Sequence, residues 1–245
     1  MHRFFVEQPL EAGLIVGLSK EESAHAARVL RLKAGDPVEL LDGGALYAGE
    51  LVRVGEDGVK ARVLSALPSP ESRAQITLWQ GMPKADKLEW IVQKATELGV
   101  WALWPVEMER SVVKGDKARR SQKRERWERI ALEAAKQSGR AHVPQVEDAC
   151  GFEEAYKRLQ GQDFDLILVA WEEARGLTLS RAVRESPRKE RILLVIGPEG
   201  GITQEECQRL QALGGRSVTL GRRILRTETA GPSALAVILA ALEEM

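Results

Sequence analysis

Arg191-Ile-Leu-Leu-Val-Ile-Gly-Pro-Glu-Gly-Gly-Ile-Thr203 carries three structural signals in succession. Ile192 to Ile196 is an uninterrupted apolar run, the pattern of a strand buried on both faces of a parallel sheet. Gly197-Pro198-Glu199-Gly200-Gly201 follows, a turn in which missing Cβ atoms let another group lie directly on the main chain. Thr203 then reads as a helix N-cap, with Glu206 completing a capping box. In α/β proteins this strand–turn–helix order places a ligand at the carboxyl end of the sheet. No Gly-Lys-Ser/Thr follows the turn and no G-x-G-x-x-G is present, so phosphate-loop and dinucleotide fingerprints are excluded.

A second stretch, Val218-Thr-Leu-Gly-Arg-Arg-Ile-Leu-Arg-Thr-Glu-Thr-Ala-Gly-Pro232, has the same grammar. Val218 to Leu220 reads as a short strand running into Gly221. Arg222, Arg223 and Arg226 come next, and Pro232 suits the first turn of an apolar C-terminal helix. Two glycine turns after two strands form a pocket lined by backbone.

Upstream, the same β-α-β reading holds. Ile76 to Gln80 reads as a strand, followed by a helix from Asp86 with Leu88, Ile91, Val92, Ala95 and Leu98 on one face. Gly99 ends that helix and Val100 to Val106 forms the next strand. With Leu166–Ala170, this gives about five strands, mostly parallel, with helices on both faces. The first 66 residues read differently. Ser19 to Glu22 is a capping box, Asp42-Gly-Gly44 and Glu56-Asp-Gly58 are turns, and Val59 to Val63 alternates strictly, as in a small barrel. Leu67-Pro-Ser-Pro70 reads as a linker. The expected division is therefore 1–66, a linker over 67–72, and 73–245.

Bulk properties add bounds. The 245 residues carry no net charge, so any basic surface is local. Residues 1–71 hold eight Lys and Arg against eleven Asp and Glu, whereas residues 110–129 hold nine against three. Lys114 to Lys123 lacks apolar periodicity and reads as a mobile loop able to track phosphates by charge. The two cysteines have no metal-ligand spacing, which fits a reducing cytosol and no metal site. No apolar run is long enough to span a bilayer, and no secretory leader opens the chain, so a cytoplasmic protein is expected. Asparagine is absent, a composition that leans towards a heat-adapted source.

Gly197-Pro-Glu-Gly-Gly201 with Leu220-Gly-Arg-Arg-Ile-Leu-Arg-Thr-Glu-Thr-Ala230 closely resembles the bacterial 16S ribosomal RNA uridine-N3 methyltransferases. That family belongs to the SPOUT class, in which the C-terminal chain threads a loop to form a trefoil knot. The resemblance implies a mostly parallel knotted α/β domain, a PUA-like N-terminal barrel that aids RNA binding, and a homodimer with shared active sites. It also implies S-adenosylmethionine, held bent in the pocket. Its donor site then comprises Ile196, Gly197, Glu199, Gly200 and Gly201 with Leu220, Gly221, Ile224, Leu225 and Thr229. Ala170 and Glu172, after the Leu166 strand, add a further wall. Leu220, Ile224 and Leu225 are expected to supply apolar surface, and a side chain at Gly200 is expected to intrude on the ligand.

Arg226 is the expected catalytic group, stabilising charge on the uracil, with the proton acceptor left open. Matches to further family signatures make Arg3, Arg28, Arg31, Arg110, Gln137 and Arg140 expected RNA contacts, with His25-x-x-Arg28-x-x-Arg31 on one helical face. Two other readings stand beside this one: a knotted ribose 2′-O-methyltransferase, and an RNA-binding protein that keeps the fold without catalysis.

Overall fold

A computed structural model describes residues 1–55, 57–112 and 120–245, with side chains at 120 and 121 left aside. The chain forms two compact units. Residues 1–71 fold with residues 136–143, and residues 72–135 fold with residues 144–245.

The first unit is a five-stranded sheet. Its strands are β1 (His2–Phe5), β2 (Ile15–Gly17), β3 (Pro37–Leu41), β4 (Leu46–Gly55) and β5 (Gly58–Leu67), in the order β1-β3-β4-β5-β2. Only the β1–β3 pair is parallel. Alternation explains β5: Val59, Ala61 and Val63 are buried with Phe4, Leu40 and Leu51, while Lys60 and Arg62 face water. Helix α1 (Lys20–Ala24) is capped by Ser19 Oγ, which accepts from Glu22 N–H at 3.1 Å. Buried Ser23 Oγ accepts from Val59 N–H at 3.1 Å and donates to Leu18 O at 3.2 Å, tying that helix to the sheet.

Beyond α1 the expectation of one regular helix fails. His25–Val29 is a π-helical turn, and Arg31 leaves it with φ 53°. The wider turn shifts the face on which residues three apart fall, so Arg28 and Arg31 are both exposed but do not share a helical stripe.

The expected boundary at residue 66 also shifts. The Glu71 carboxylate accepts from Arg140 Nε at 3.1 Å, Ala141 N–H at 2.7 Å and His142 N–H at 3.0 Å. Burial raises the Glu71 pKa, but the Arg140 guanidinium and the two amides outweigh it and hold the carboxyl below its usual range. Ala141 packs with Leu41 and Leu46. Residues 136–143 thus belong to the first unit by charge pairing and by apolar contact.

The second unit is a sheet of β6 (Gln75–Gly81), β7 (Ala102–Glu107), β8 (Gln145–Val146), β9 (Cys150–Gly151), β10 (Leu166–Ala170), β11 (Arg191–Ile196) and β12 (Arg216–Val218). The order is β12-β10-β11-β6-β7-β8, with β9 also on β7, and every pair is parallel. The strands β6, β7, β10 and β11 match expectation; the strand expected over Val218–Leu220 lies earlier, as β12, and β8 and β9, two residues each, have no sequence signal. Ile192 to Val195 are wholly buried, as the apolar run requires. Each such side chain contributes about 1.5–3 kcal/mol of burial.

Helices cover both faces. Phe152, Ala155 and Leu159 of α4 (Phe152–Gln160) and Cys207 and Leu210 of α6 (Gln204–Ala212) pack with Trp79, Leu193 and Val195. Burial pushes the Cys207 thiol pKa up, consistent with an inert thiol. On the other face α7 (Thr227–Leu242) packs against α2 (Lys87–Glu97) and α5 (Leu179–Glu185) and over β6 and β11. Helix α7 opens five residues before Pro232, which lies inside it. Most of the expected Lys114–Lys123 loop lies outside the described residues, but its end is helical, since α3 (Arg120–Ser138) begins at Arg120. Among the described residues, no helix is long and apolar enough to cross a membrane.

Candidate active site

Parallel strands end together, so the segments after β6, β10, β11 and β12 meet at one edge of the second unit. They enclose a cavity of about 1050 Å³. Gly197 to Gly201 after β11 forms one wall. Thr219 to Thr227 after β12 forms another, and Ala170 to Gly176 after β10 a third.

The first glycine turn is held from several sides. Gly201 N–H donates to Pro198 O at 3.0 Å, and Gly201 takes φ 77°, a conformation that L side chains rarely adopt. The capping box holds the following helix as expected: Glu206 N–H donates to Thr203 Oγ1 at 3.2 Å and Thr203 N–H to Glu206 Oε2 at 3.0 Å. Glu206 also accepts from Glu109 N–H at 2.9 Å, which docks the segment after β7 on the same corner. Trp171 Nε1 donates to Ile202 O at 3.1 Å, joining the first and third walls.

Gly81, at the end of β6, lies hard against this turn. A Cβ there would stand 2.4 Å from Pro198 N and 2.7 Å from Gly197 C. Gly200 has a different role from the one expected. Its missing Cβ would meet Arg110 Cβ at 2.7 Å, and Arg110 Nη1 donates to Gly200 O at 3.0 Å. A Cβ on Gly201 would stand 2.1 Å from Glu172 Oε1, so this carboxylate rests directly on the turn.

Glu199 turns to the start of α2. It accepts from Lys84 N–H at 3.1 Å and from Lys87 Nζ at 3.0 Å, and Lys87 lies 3.1 Å from Glu228. Burial raises the Glu199 pKa, yet the Lys87 ammonium and Lys84 amide hold it below its usual range. Hydrogen bonds to Glu199 and Glu228 in turn hold Lys87 above its usual value. Lys87 therefore fastens the first glycine turn to the first turn of α7 and stays charged at neutral pH.

A second, uncharged fastener lies deeper. Gln80 is fully buried, and its Nε2 donates to Gly81 O at 3.0 Å and to Thr227 Oγ1 at 2.8 Å. Thr227 Oγ1 donates to Gly197 O at 2.7 Å.

Of the expected donor residues, Ala170, Glu172, Ile196, Gly197, Glu199, Gly200, Gly201, Leu220, Gly221, Ile224 and Leu225 line the cavity, as does Arg226. Thr229 does not. It is exposed on the first turn of α7, and Thr227 takes the place facing the cavity. Ile224 is 90% exposed, so the enclosed apolar surface comes from Ile196, Leu220, Leu225 and Ala230 instead. Lys87, Trp171, Arg175 and Thr227 also line it and were not singled out from sequence. Lys87, Trp171 and Arg175 lie outside the two glycine motifs; Thr227 lies inside the second, where a single Thr carries no periodic signal.

The expected RNA contacts divide. Arg28, Arg31, Arg110 and Gln137 are exposed. Arg140 is 5% exposed and committed to Glu71, and Arg3 Nε donates to Glu39 at 2.7 Å beside Gly139. For both, internal pairing replaces the expected solvent-facing role.

A cavity at the carboxyl edge of a wholly parallel sheet, walled by glycine turns and apolar side chains, defines an α/β enzyme that holds a small cofactor on main-chain groups. Residues 70–239 match the family model described as "RNA methyltransferase domain", and residues 18–64 the one described as "RNA methyltransferase PUA domain". The chain belongs to the RNA methyltransferase family. It is 40% identical to "Ribosomal RNA small subunit methyltransferase E" of Bacillus subtilis, over 97% of this chain and 96% of that one. A structure of the protein of that name from Neisseria gonorrhoeae, bound to S-adenosyl methionine, is 33% identical. It superposes with TM-score 0.83 over 98% of this chain and 97% of its own. A Legionella pneumophila methyltransferase solved with the same cofactor gives 31% identity and TM-score 0.79, over 98% and 97%.

Proposed function

We propose that the protein transfers a methyl group from S-adenosylmethionine to N3 of a uridine in the 16S RNA of the small ribosomal subunit. The observation that carries this reading is the convergence of two glycine turns, 20 residues and more apart in sequence, on one cavity of about 1050 Å³. The donor fits what that cavity offers. The Gly197–Gly201 and Leu220–Gly221 segments bring main chain to the cavity wall, with no Cβ at Gly197, Gly200, Gly201 and Gly221. Ile196, Leu220 and Leu225 cover an apolar ring, and the Glu172 carboxylate suits a cationic group.

When bound, the cofactor supplies an electrophilic methyl whose bond to sulfur breaks as the bond to N3 forms. The chain's own contribution is alignment and charge. Arg226 lies at the cavity rim, directly before α7, and its side chain makes no hydrogen bond or ion pair among the described residues. Its guanidinium is free to face the uracil oxygens, where negative charge grows as the N3 proton leaves. Arg28, Arg31, Arg110 and Gln137 supply exposed groups for RNA.

The working form is a homodimer with a knotted C-terminal segment. Support for the dimer is the exposure of Ile224 at the cavity mouth and of Trp90 and Val237 on α2 and α7. Support for the knot is the docking of Thr227 between the ends of β6 and β11. An rRNA substrate and two buried free cysteines suit the cytoplasm.

The test is methyl incorporation from labelled cofactor into small-subunit particles and into their stripped RNA, with nucleosides identified by mass spectrometry. 3-Methyluridine is expected. A 2′-O-methylated nucleoside would move the assignment to the ribose. No incorporation, with no cofactor binding by calorimetry, would remove the enzyme reading.

A further inference from the structure

Gln80 and Thr227 are 147 residues apart and meet in a buried polar node that includes no residue of either glycine turn's side chains. Thr227 Oγ1 is used in both senses, accepting from Gln80 Nε2 at 2.8 Å and donating to Gly197 O at 2.7 Å. The Gln80 amide orientation is fixed by its second bond, Nε2 to Gly81 O at 3.0 Å, since the flipped amide would set oxygen against oxygen. The Oε1 atom is buried without a hydrogen-bond partner among the described residues, so Gln80 is present for its donors. A carbonyl, a hydroxyl and a carboxamide thus lock the ends of β6 and β11 to the start of α7.

The residue before Thr227 is Arg226. Its backbone oxygen accepts from Thr229 N–H at 2.9 Å and Ala230 N–H at 2.8 Å, so its main chain is fixed to α7 while its side chain makes no hydrogen bond among the described residues. The placement of the arginine relative to Gly197 therefore runs through this hydroxyl at the buried end, beside the Lys87 pairs with Glu199 and Glu228 nearer the surface.

We propose that Gln80 and Thr227 are positioning residues for methyl transfer: through the Gly197 carbonyl they set the register between the donor cradle and Arg226. This rests on the proposed function above. The node acts on the alignment of two groups that touch the reactants; Thr227 lines the cavity, and Gln80 lies behind it.

Thr227→Val keeps the shape and removes both hydrogen bonds; Thr227→Ser keeps both. An alignment error of about 1 Å costs on the order of 100-fold in rate. Expected for Thr227→Val is a turnover number lowered roughly 10- to 100-fold, with the KM for RNA changed far less and the cofactor stoichiometry by calorimetry equal to wild type. Equal stoichiometry shows that the loss is not a misfolded fraction. Thr227→Ser restores turnover, and Gln80→Leu reproduces the Thr227→Val defect. Wild-type turnover from Thr227→Val, or a defect that Thr227→Ser shares, overturns the proposal. A fall in turnover matched by a fall in cofactor stoichiometry also overturns it, because the node is then only structural. An inactive wild-type control would instead defeat the proposed function, and this inference with it.

Discussion

Gly81→Ala is the smallest change that tests whether the end of β6 sets the shape of the cofactor cavity. The backbone of Gly81 has no positive φ, so alanine is allowed there on conformational grounds. The obstacle is space. The added Cβ would lie 2.4 Å from Pro198 N, 2.5 Å from Pro198 Cδ and 2.7 Å from Gly197 C, where ordinary contact begins at 3.4 Å. Main chain must therefore yield by about 1 Å, because none of these atoms ends a flexible side chain. Gly81 is paired to Val106 and Gln80 to Ile196, so the sheet resists movement on the β6 side. The Gly197–Pro198 turn moves instead, carrying the Gly197 carbonyl away from Thr227. Overpacking of this kind costs about 1–3 kcal/mol of stability, and the displacement costs on the order of 100-fold in rate. Cofactor affinity by calorimetry, methyl incorporation and a thermal melt read the three effects. Gly151→Ala is the control, since nothing lies within 4 Å of its Cβ position. A Gly81→Ala protein that binds cofactor and methylates within about twofold of wild type, a difference near 0.4 kcal/mol, refutes the reasoning.

Other substitutions separate the remaining roles. Arg226→Ala should lower turnover about 100-fold and leave cofactor affinity unchanged, as calorimetry beside single-turnover rates would show. Glu71→Gln removes the charge that the buried Arg140 guanidinium faces and should destabilise the protein by about 3 kcal/mol in denaturant melts. The folded-state Glu71 pKa lies below the ordinary 4.5, so wild type should lose this stability as pH falls below 4.5 and through the folded value, whereas Glu71→Gln should show a flatter acid limb. Arg28→Ala should weaken RNA binding and reduce its salt slope by about one charge, whereas Arg140→Ala should change stability and leave the slope alone; binding titrations at several salt concentrations distinguish the two.

Local chemistry made much of the second unit legible. The run from Ile192 to Ile196, the Thr203–Glu206 capping box and the helical stripe from Leu88 to Leu98 each encode their structure within a few residues, and the glycine turns announced the cavity. What escaped depends on partners distant in the chain. Gly81 looks like the ordinary end of a strand until Pro198 is placed against it. Gln80 reads as a polar residue at a strand terminus, and only the arrival of Thr227 gives its donors a purpose. Arg140 reads as a surface cation because its partner, Glu71, lies 69 residues earlier. The π turn at His25 has no composition that separates it from an α-helix. Thr229 and Thr227 are chemically alike and two positions apart, so the choice between them depended on where α7 begins.

The return of residues 136–143 to the first unit has a consequence for biosynthesis. A polypeptide released only as far as Glu71 holds a carboxylate whose cation has not yet been made, and a patch at Leu41 and Leu46 still awaiting Ala141. The amino-terminal module is therefore finished only after residues 72–135 of the other have been translated. Dissection by gene truncation at the natural-looking proline hinge would yield an incomplete piece, and a faithful excision needs the later octapeptide spliced back on.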